Sequence, residues 1–208
     1  MNAPVATTPS EPVVVKAGVP SFGCLGWSAT LMQVLCLSGV SGAQQENELA
    51  VLDTGKEFLY IDLDGQILAE DVARLNAKIG QLGYMTFTHA PTPLVSGLKL
   101  TVGAATVLFT SEETHPDNAV AATFTTTLVA TCGTTTRQIY KDKDKWEAQG
   151  IEHGAAVRRI GNRLLVELTA HSEINGARLT WFQALLLNTE TCEETHTWGR
   201  GEIDMGTW

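Results

Sequence analysis

Residues 119–132, AVAATFTTTLVATC, constrain the fold more tightly than any other part of the chain. Val120, Ala122, Phe124, Leu128, Ala130 and Cys132 fall on one parity, with Thr126 among them. Thr123, Thr125, Thr127 and Thr131 fall on the other. Successive side chains of a strand point to opposite faces, so this alternation predicts a strand with one face in a core and one face wet. The whole sequence carries the same signature, with 26 Thr against 8 Ser. A β-branched hydroxyl residue suits a half-exposed pleated surface, whereas Ser suits turns and caps.

Further strands follow from runs bounded by turn residues. Residues 57–62, EFLYID, read as a strand, and 98–110, LKLTVGAATVLFT, as one more, followed by a polar turn at 111–118. Residues 141–152, KDKDKWEAQGIE, read as a charged loop or short helical turn. Two hairpins come next: 154–160 with 163–171 through Gly161-Asn162, then 163–173 with 177–188 near Asn175-Gly176. In the shared strand Leu164, Val166 and Leu168 are expected to point inward. A last strand spans 191–198, TCEETHTW.

One helix is clear. Within 66–82, QILAEDVARLNAKIGQL, residues Leu68, Val72, Leu75, Ile79 and Leu82 form one apolar stripe. Asp64 can cap its start, Glu70 and Asp71 suit its first turns, and Gly83 suits the left-handed position after its end. The predicted fold class is therefore α+β, mostly antiparallel β as a sandwich or barrel-like meander, with one helix and an N-terminal arm. The expected organisation is an extended arm over 1–19 and a single β-rich domain over 20–208.

The arm begins MNAPVATTPSEPV, Pro- and Thr-rich without periodicity. Alone it buries too little to offset roughly 1–2 kcal/mol of backbone entropy per ordered residue, so an ordered arm is expected to lie on a neighbouring subunit. Residues 20–43 are the most apolar stretch, yet the longest strictly apolar run is Val34 to Leu37. A membrane helix needs about 20 mostly apolar residues, so a span is rejected in favour of a buried strand, short helix or subunit interface.

The chain has 208 residues, 44% of them apolar and 18% charged, with a net charge of −9. The length supports a core without metal or disulfide staples. The charge argues against nucleic acid and anionic membrane as partners. Cys24, Cys36, Cys132 and Cys192 match no zinc spacing, and no secretory signal follows Met1. Four buried thiols in a reducing compartment are expected.

Few residues are candidates for chemistry. Strand alternation would bring Cys192, Glu194 and His196 to one face, and His171 on the nearby hairpin could join them as a zinc ligand. The structural alternative is a polar strand face with one buried Cys, so no metal or other cofactor is assigned. Asp62-Leu63-Asp64-Gly65 has the start of a calcium loop but lacks its later ligands, and reads as a turn. The motifs of serine hydrolases, nucleotide-binding loops and zinc proteases are missing, and His89, His115, His153, His171 and His196 are scattered. The threonine face of 119–132 could line a pore, or be a solvent-facing or lumenal sheet surface. The tail GRGEIDMGTW ends in Trp208, expected to clamp with Trp198 onto a neighbour or its own core.

The stretch Gly65 to Asn76, GQILAEDVARLN, resembles a motif of bacteriophage tail and fibre proteins. In that motif a G-[QT]-[VI]-L-T-A-x-x-[LM]-N segment opens a helix after a strand. Here extra residues precede Asn76, and Ala69 stands where Thr is usual. The resemblance implies a non-enzymatic structural or assembly protein of a phage-like virion: a tail, adaptor, collar or decoration subunit assembled in the host cytoplasm. It implies a homo-oligomer with other virion proteins as partners, and transfers no catalytic residue. The alternative is a small-molecule-binding or enzymatic β-barrel or NTF2-like cone, with an apolar cavity lined by Leu164, Val166, Leu168 and Trp181. A third is a pore-forming toxin.

Overall fold

The computed structural model describes residues 10–17, 23–31, 33–38, 49–52, 58–60, 69–114, 122–146, 152–174 and 177–198. For 37–38, 49–52, 58–60, 122–124, 142–146, 152–153, 170–174, 177–182 and 195–198 the description is of the backbone alone. Antiparallel β-structure dominates, with three sheets and one helix among the described residues.

The chain divides into two compact units, residues 1–39 with 46–91 and residues 40–45 with 92–208. This differs from a single β-rich domain over 20–208. Each unit buries its own apolar cluster, so each has a core that the other need not complete.

In the first unit, β1 (Gly23–Ser28), β2 (Gln33–Ser38), β3 (Leu49–Leu52), β4 (Phe58–Tyr60) and β5 (Met85–Thr86) form one sheet in the order β4-β3-β2-β1-β5. Within the apolar 20–43 stretch, β1 and β2 thus pair as a hairpin. Alternate positions of β1 are buried, and Val34, Leu35 and Cys36 of β2 are all buried. Helix α1 (Ala69–Gln81) turns Leu75 and Ile79 into the core, with Val72 and Leu82 beside them. Gly83 takes φ +68° at its C-terminal end, where the Tyr84 N–H donates to the Ile79 carbonyl at 3.4 Å. Ser28, fully buried, donates its hydroxyl to the Leu82 carbonyl at 2.8 Å and so satisfies an orphan at the end of the helix. The expected cap Asp64, the Asp62–Gly65 turn and Leu68 lie outside the described residues.

The described part of the arm lies on its own chain, contrary to the expectation that its order requires a neighbour. The Val13 N–H donates to the Tyr84 carbonyl at 3.0 Å, and the Thr86 N–H to the Glu11 carbonyl at 2.6 Å. The Asn76 side chain of α1 accepts from the Val15 N–H at 2.8 Å and donates to the Val15 carbonyl at 2.9 Å. One amide therefore replaces a strand neighbour for both polar groups of Val15, while the side chains of Val13 and Val15 sink into the core. Residues 1–9 lie outside the described set.

The second unit is a sandwich. One sheet has the order β10-β9-β8-β7, built from β7 (Lys99–Val102), β8 (Ala105–Thr114), β9 (Ala122–Cys132) and β10 (Thr135–Trp146). The other has the order β14-β13-β12-β11-β6, from β6 (Thr92–Leu94), β11 (Glu152–Ile160), β12 (Arg163–Ile174), β13 (Ala177–Asn188) and β14 (Glu194–Trp198). Val107, Phe109, Leu128 and Ala130 of one sheet share a single buried cluster with Val157, Leu164, Val166, Leu168, Leu185 and Leu187 of the other. The inward set Leu164, Val166 and Leu168 is as expected, and so is the burial of Thr126.

Three segments depart from expectation, and in the first Ser111–Thr114 continue β8 rather than opening a polar turn. The stretch 98–110 is a hairpin rather than one strand, because Gly103 turns the chain at φ +63°. Lys141–Trp146 continue β10 rather than forming a loop or helical turn, and pair with Thr127–Ala122 of β9. Lysines at every second position of an edge strand discourage pairing with a foreign strand.

Val166 is fully buried between Val157 and Leu185 on the flanking strands. Val166→Asp is expected to cost about 4 kcal/mol or more in chemical denaturation, since the charge has no partner there. Asn76→Ala strands two backbone groups of Val15 and is expected to cost about 1–3 kcal/mol.

Candidate functional site

The candidate metal face, to which no metal is assigned, depends on simple alternation from Cys192 to His196, and the chain does not alternate there. Cys192 precedes β14, in a turn that Asn188 organises. The Asn188 side-chain oxygen accepts from the N–H groups of Glu190 at 2.8 Å and Thr191 at 3.3 Å. Its backbone carbonyl accepts from the Cys192 N–H at 2.9 Å, and its N–H donates to the Glu193 carbonyl at 2.9 Å. Cys192 takes φ 56°, a left-handed conformation that costs a non-glycine residue about 1 kcal/mol. Thr189 ties this turn to the β11–β12 turn, donating its hydroxyl to the Asn162 carbonyl at 2.7 Å.

Beyond the turn, Glu194 stands opposite Leu187 and His196 opposite Leu186, with an irregularity of register between them. They therefore occupy consecutive positions relative to β13, not alternate ones. His171 stands opposite Thr180, six residues along β13 from Leu186, or about 20 Å at the rise of a strand. Cys192 has its sulfur in a disulfide. The four candidates do not converge, and no cluster of three potential ligands occurs among the described residues.

The cysteines are the principal correction. Cys24 is bonded to Cys36 and Cys132 to Cys192, so the four thiols expected in a reducing compartment are two disulfides. Cys24 and Cys36 are direct partners across the β1–β2 hairpin. Their placement at matching positions of two short apolar runs is a signal the sequence holds once those runs are read as a hairpin. Cys132 and Cys192 are 60 residues apart, Cys132 at the end of β9 and Cys192 in the turn before β14, with Cα atoms 5.5 Å apart. No local pattern reveals that pairing.

The threonine face is assembled from four strands. Thr101, Thr106, Thr131 and Thr136 are successive cross-strand partners on β7, β8, β9 and β10, forming one row. Thr101 and Thr106 hydroxyls are 3.1 Å apart, and those of Thr131 and Thr136 3.0 Å. Thr110 and Thr127 make the same contact four residues further along. Leu108 and Val129 lie between the rows, half-buried. Such Thr–Thr pairs stabilise a sheet by about 0.2–1 kcal/mol each.

The reverse face of this sheet packs on the second sheet of the unit. That arrangement leaves no lipid-facing band opposite the threonines, so it offers no support for a pore lining. Among the described residues, Leu164, Val166 and Leu168 pack in one cluster with Val107, Phe109 and Leu128 of the facing sheet. Trp181 has its backbone in β13 and its side chain outside the described set.

The other face of the β12 sheet holds an ion pair. Glu167 accepts from the Arg158 side-chain Nε at 3.2 Å, with side-chain exposures of 8% and 16%. Leu165 and Leu186 beside them are buried as well, so β12 and β13 are covered on both faces. The pair is set in the fold: replacing one partner would leave the other charge poorly solvated.

Without reductant, denatured protein should take up no alkylating reagent at cysteine, and four equivalents after reduction. Cys132→Ser with Cys192→Ser is expected to lower stability by about 4 kcal/mol, the chain-entropy value for a loop of this length.

Comparison of the chain with protein-family models, with curated proteins and with solved structures yields no match.

Proposed function

We propose that this chain is a non-enzymatic structural subunit that acts by assembly, in a phage-like virion. The observation that carries the reading is the way both units are closed. Each is an antiparallel framework with its own apolar core and its own buried disulfide, and the β-ladders reach twelve residues. Cross-links between β-strands suit a part that bears load, because they remove unfolded conformations without adding chemistry.

Two further features support the reading. The 65–76 segment that resembles the phage tail and fibre motif leads into α1, whose first eight residues are Ala69 to Asn76. Several polar side chains are engaged in structure: Asn76 and Ser28 hold backbone groups, Arg158 pairs with Glu167, and threonines pair across strands. The disulfides fit a particle that works outside a reducing cytoplasm, with chains made in the host cell and cross-linked afterwards.

Light scattering across a hundredfold concentration range, followed by negative-stain microscopy, tests the proposal. Discrete multi-subunit particles are the expected result. A chain that stays monomeric at every concentration would remove the assembly reading.

A further inference from the structure

The two disulfides of the chain are held by the fold in different ways. Cys132 and Cys192 come together across 60 residues with Cα atoms 5.5 Å apart, within the range of about 4.4–6.8 Å that a disulfide ordinarily spans. Cys24 and Cys36 are direct partners in one antiparallel ladder, and their Cα atoms are 3.8 Å apart. Directly opposed residues of such a ladder stand about 4.5 or 5.5 Å apart, according to whether they exchange hydrogen bonds. The bond thus holds β1 and β2 closer than a ladder or a disulfide prefers. The backbone around it is irregular: Gly23 has φ +133°, and the register shifts between Cys24 and Gly26. Regular pairing resumes at Trp27 with Val34 and Ser28 with Gln33. Access differs as well. Cys24 is 6% exposed, against 1% for Cys36, Cys132 and Cys192.

We propose that Cys24–Cys36 is a thiol–disulfide exchange site, reduced by a dithiol while Cys132–Cys192 stays closed. It operates within one chain and does not depend on assembly. A thiolate of the dithiol attacks the Cys24 sulfur, the Cys24–Cys36 bond breaks, and Cys36 leaves as a thiolate that takes up a proton. The second thiolate of the reductant then attacks the mixed disulfide, releases Cys24 and closes the reductant into its own disulfide. Two electrons pass from the dithiol to the protein, and the two protons of the dithiol end on Cys24 and Cys36. Reduction is favoured here because breaking the bond lets the two backbones return to ladder spacing. Cys24 is the second residue of β1, so fraying at the open end of the hairpin is enough to present its sulfur. The pairs Gly26–Leu35, Trp27–Val34 and Ser28–Gln33 hold the hairpin once the bond is cut, which makes the exchange reversible.

The test uses the full chain under native conditions. Protein is equilibrated at neutral pH with a graded series of reduced and oxidised dithiothreitol, alkylated rapidly and digested, and each cysteine is read by mass spectrometry. Half reduction of Cys24 and Cys36 is expected at a ratio of reduced to oxidised dithiothreitol at least tenfold lower than that for Cys132 and Cys192. Circular dichroism should stay unchanged between the two steps, and protein reduced beforehand should reach the same midpoints. A brief pulse of glutathione should place its adduct on Cys24 rather than Cys36. Reduction of both bonds at one ratio, or of Cys132–Cys192 first, would overturn the proposal. So would loss of the β-sheet signal when Cys24 and Cys36 alone are reduced, since a bond that the unit cannot lose and remain folded is structural.

Discussion

The apolar layer between the two sheets of the second unit sets the terms for everything around it. Phe109 and Leu128 from one sheet and Val166 and Leu185 from the other bury alternate residues of their strands. Burial of apolar surface is the dominant favourable term in folding, at roughly 25 cal/mol per Å². Once one parity is committed to that layer, the opposite parity must face outward, and the threonine rows follow from this. The Cys132–Cys192 bond joins the two sheets at the edge of the same layer.

The first unit solves a different problem. Its sheet ends at β5, only two residues long, and such an edge leaves backbone groups of its neighbours open. The 11–15 segment covers that edge, and Asn76 supplies from a helix the two bonds that a strand would have supplied. This depends on Gly26, because any side chain there would hold the segment off the sheet. Both units thus rely on polar side chains for closure, with Ser28, Asn76, Thr189 and Asn188 each engaged at a turn or helix.

Much of the fold was legible in the residues. The stripe ending in Leu75 and Ile79 marked α1, Gly83 marked its end, and Gly161-Asn162 marked a hairpin. The candidate site was less so. Alternation from Cys192 to His196 fails because the chain turns at Cys192 and slips register within β14. A slip of one residue reverses a strand's faces, and nothing in TCEETHTW announces it. Lys141 to Trp146 read as a loop because charged residues are sparse in cores, yet an edge strand accepts them. Glu167 alternates with the inward Leu164, Val166 and Leu168, and its burial comes from tertiary cover that a single strand pattern cannot express.

Sequence alone determined which residues could share a face, because the period of a strand or helix is a local property of the backbone. It set the α+β class, the apolar parity of β9 and the core positions of β12. Tertiary structure decided the partners. Cys132 meets Cys192 because two sheets face each other, and Asn76 meets Val15 because an extended segment passes a helix. Contacts between residues 60 positions apart are selected by packing, and packing is a property of the whole unit rather than of any stretch within it.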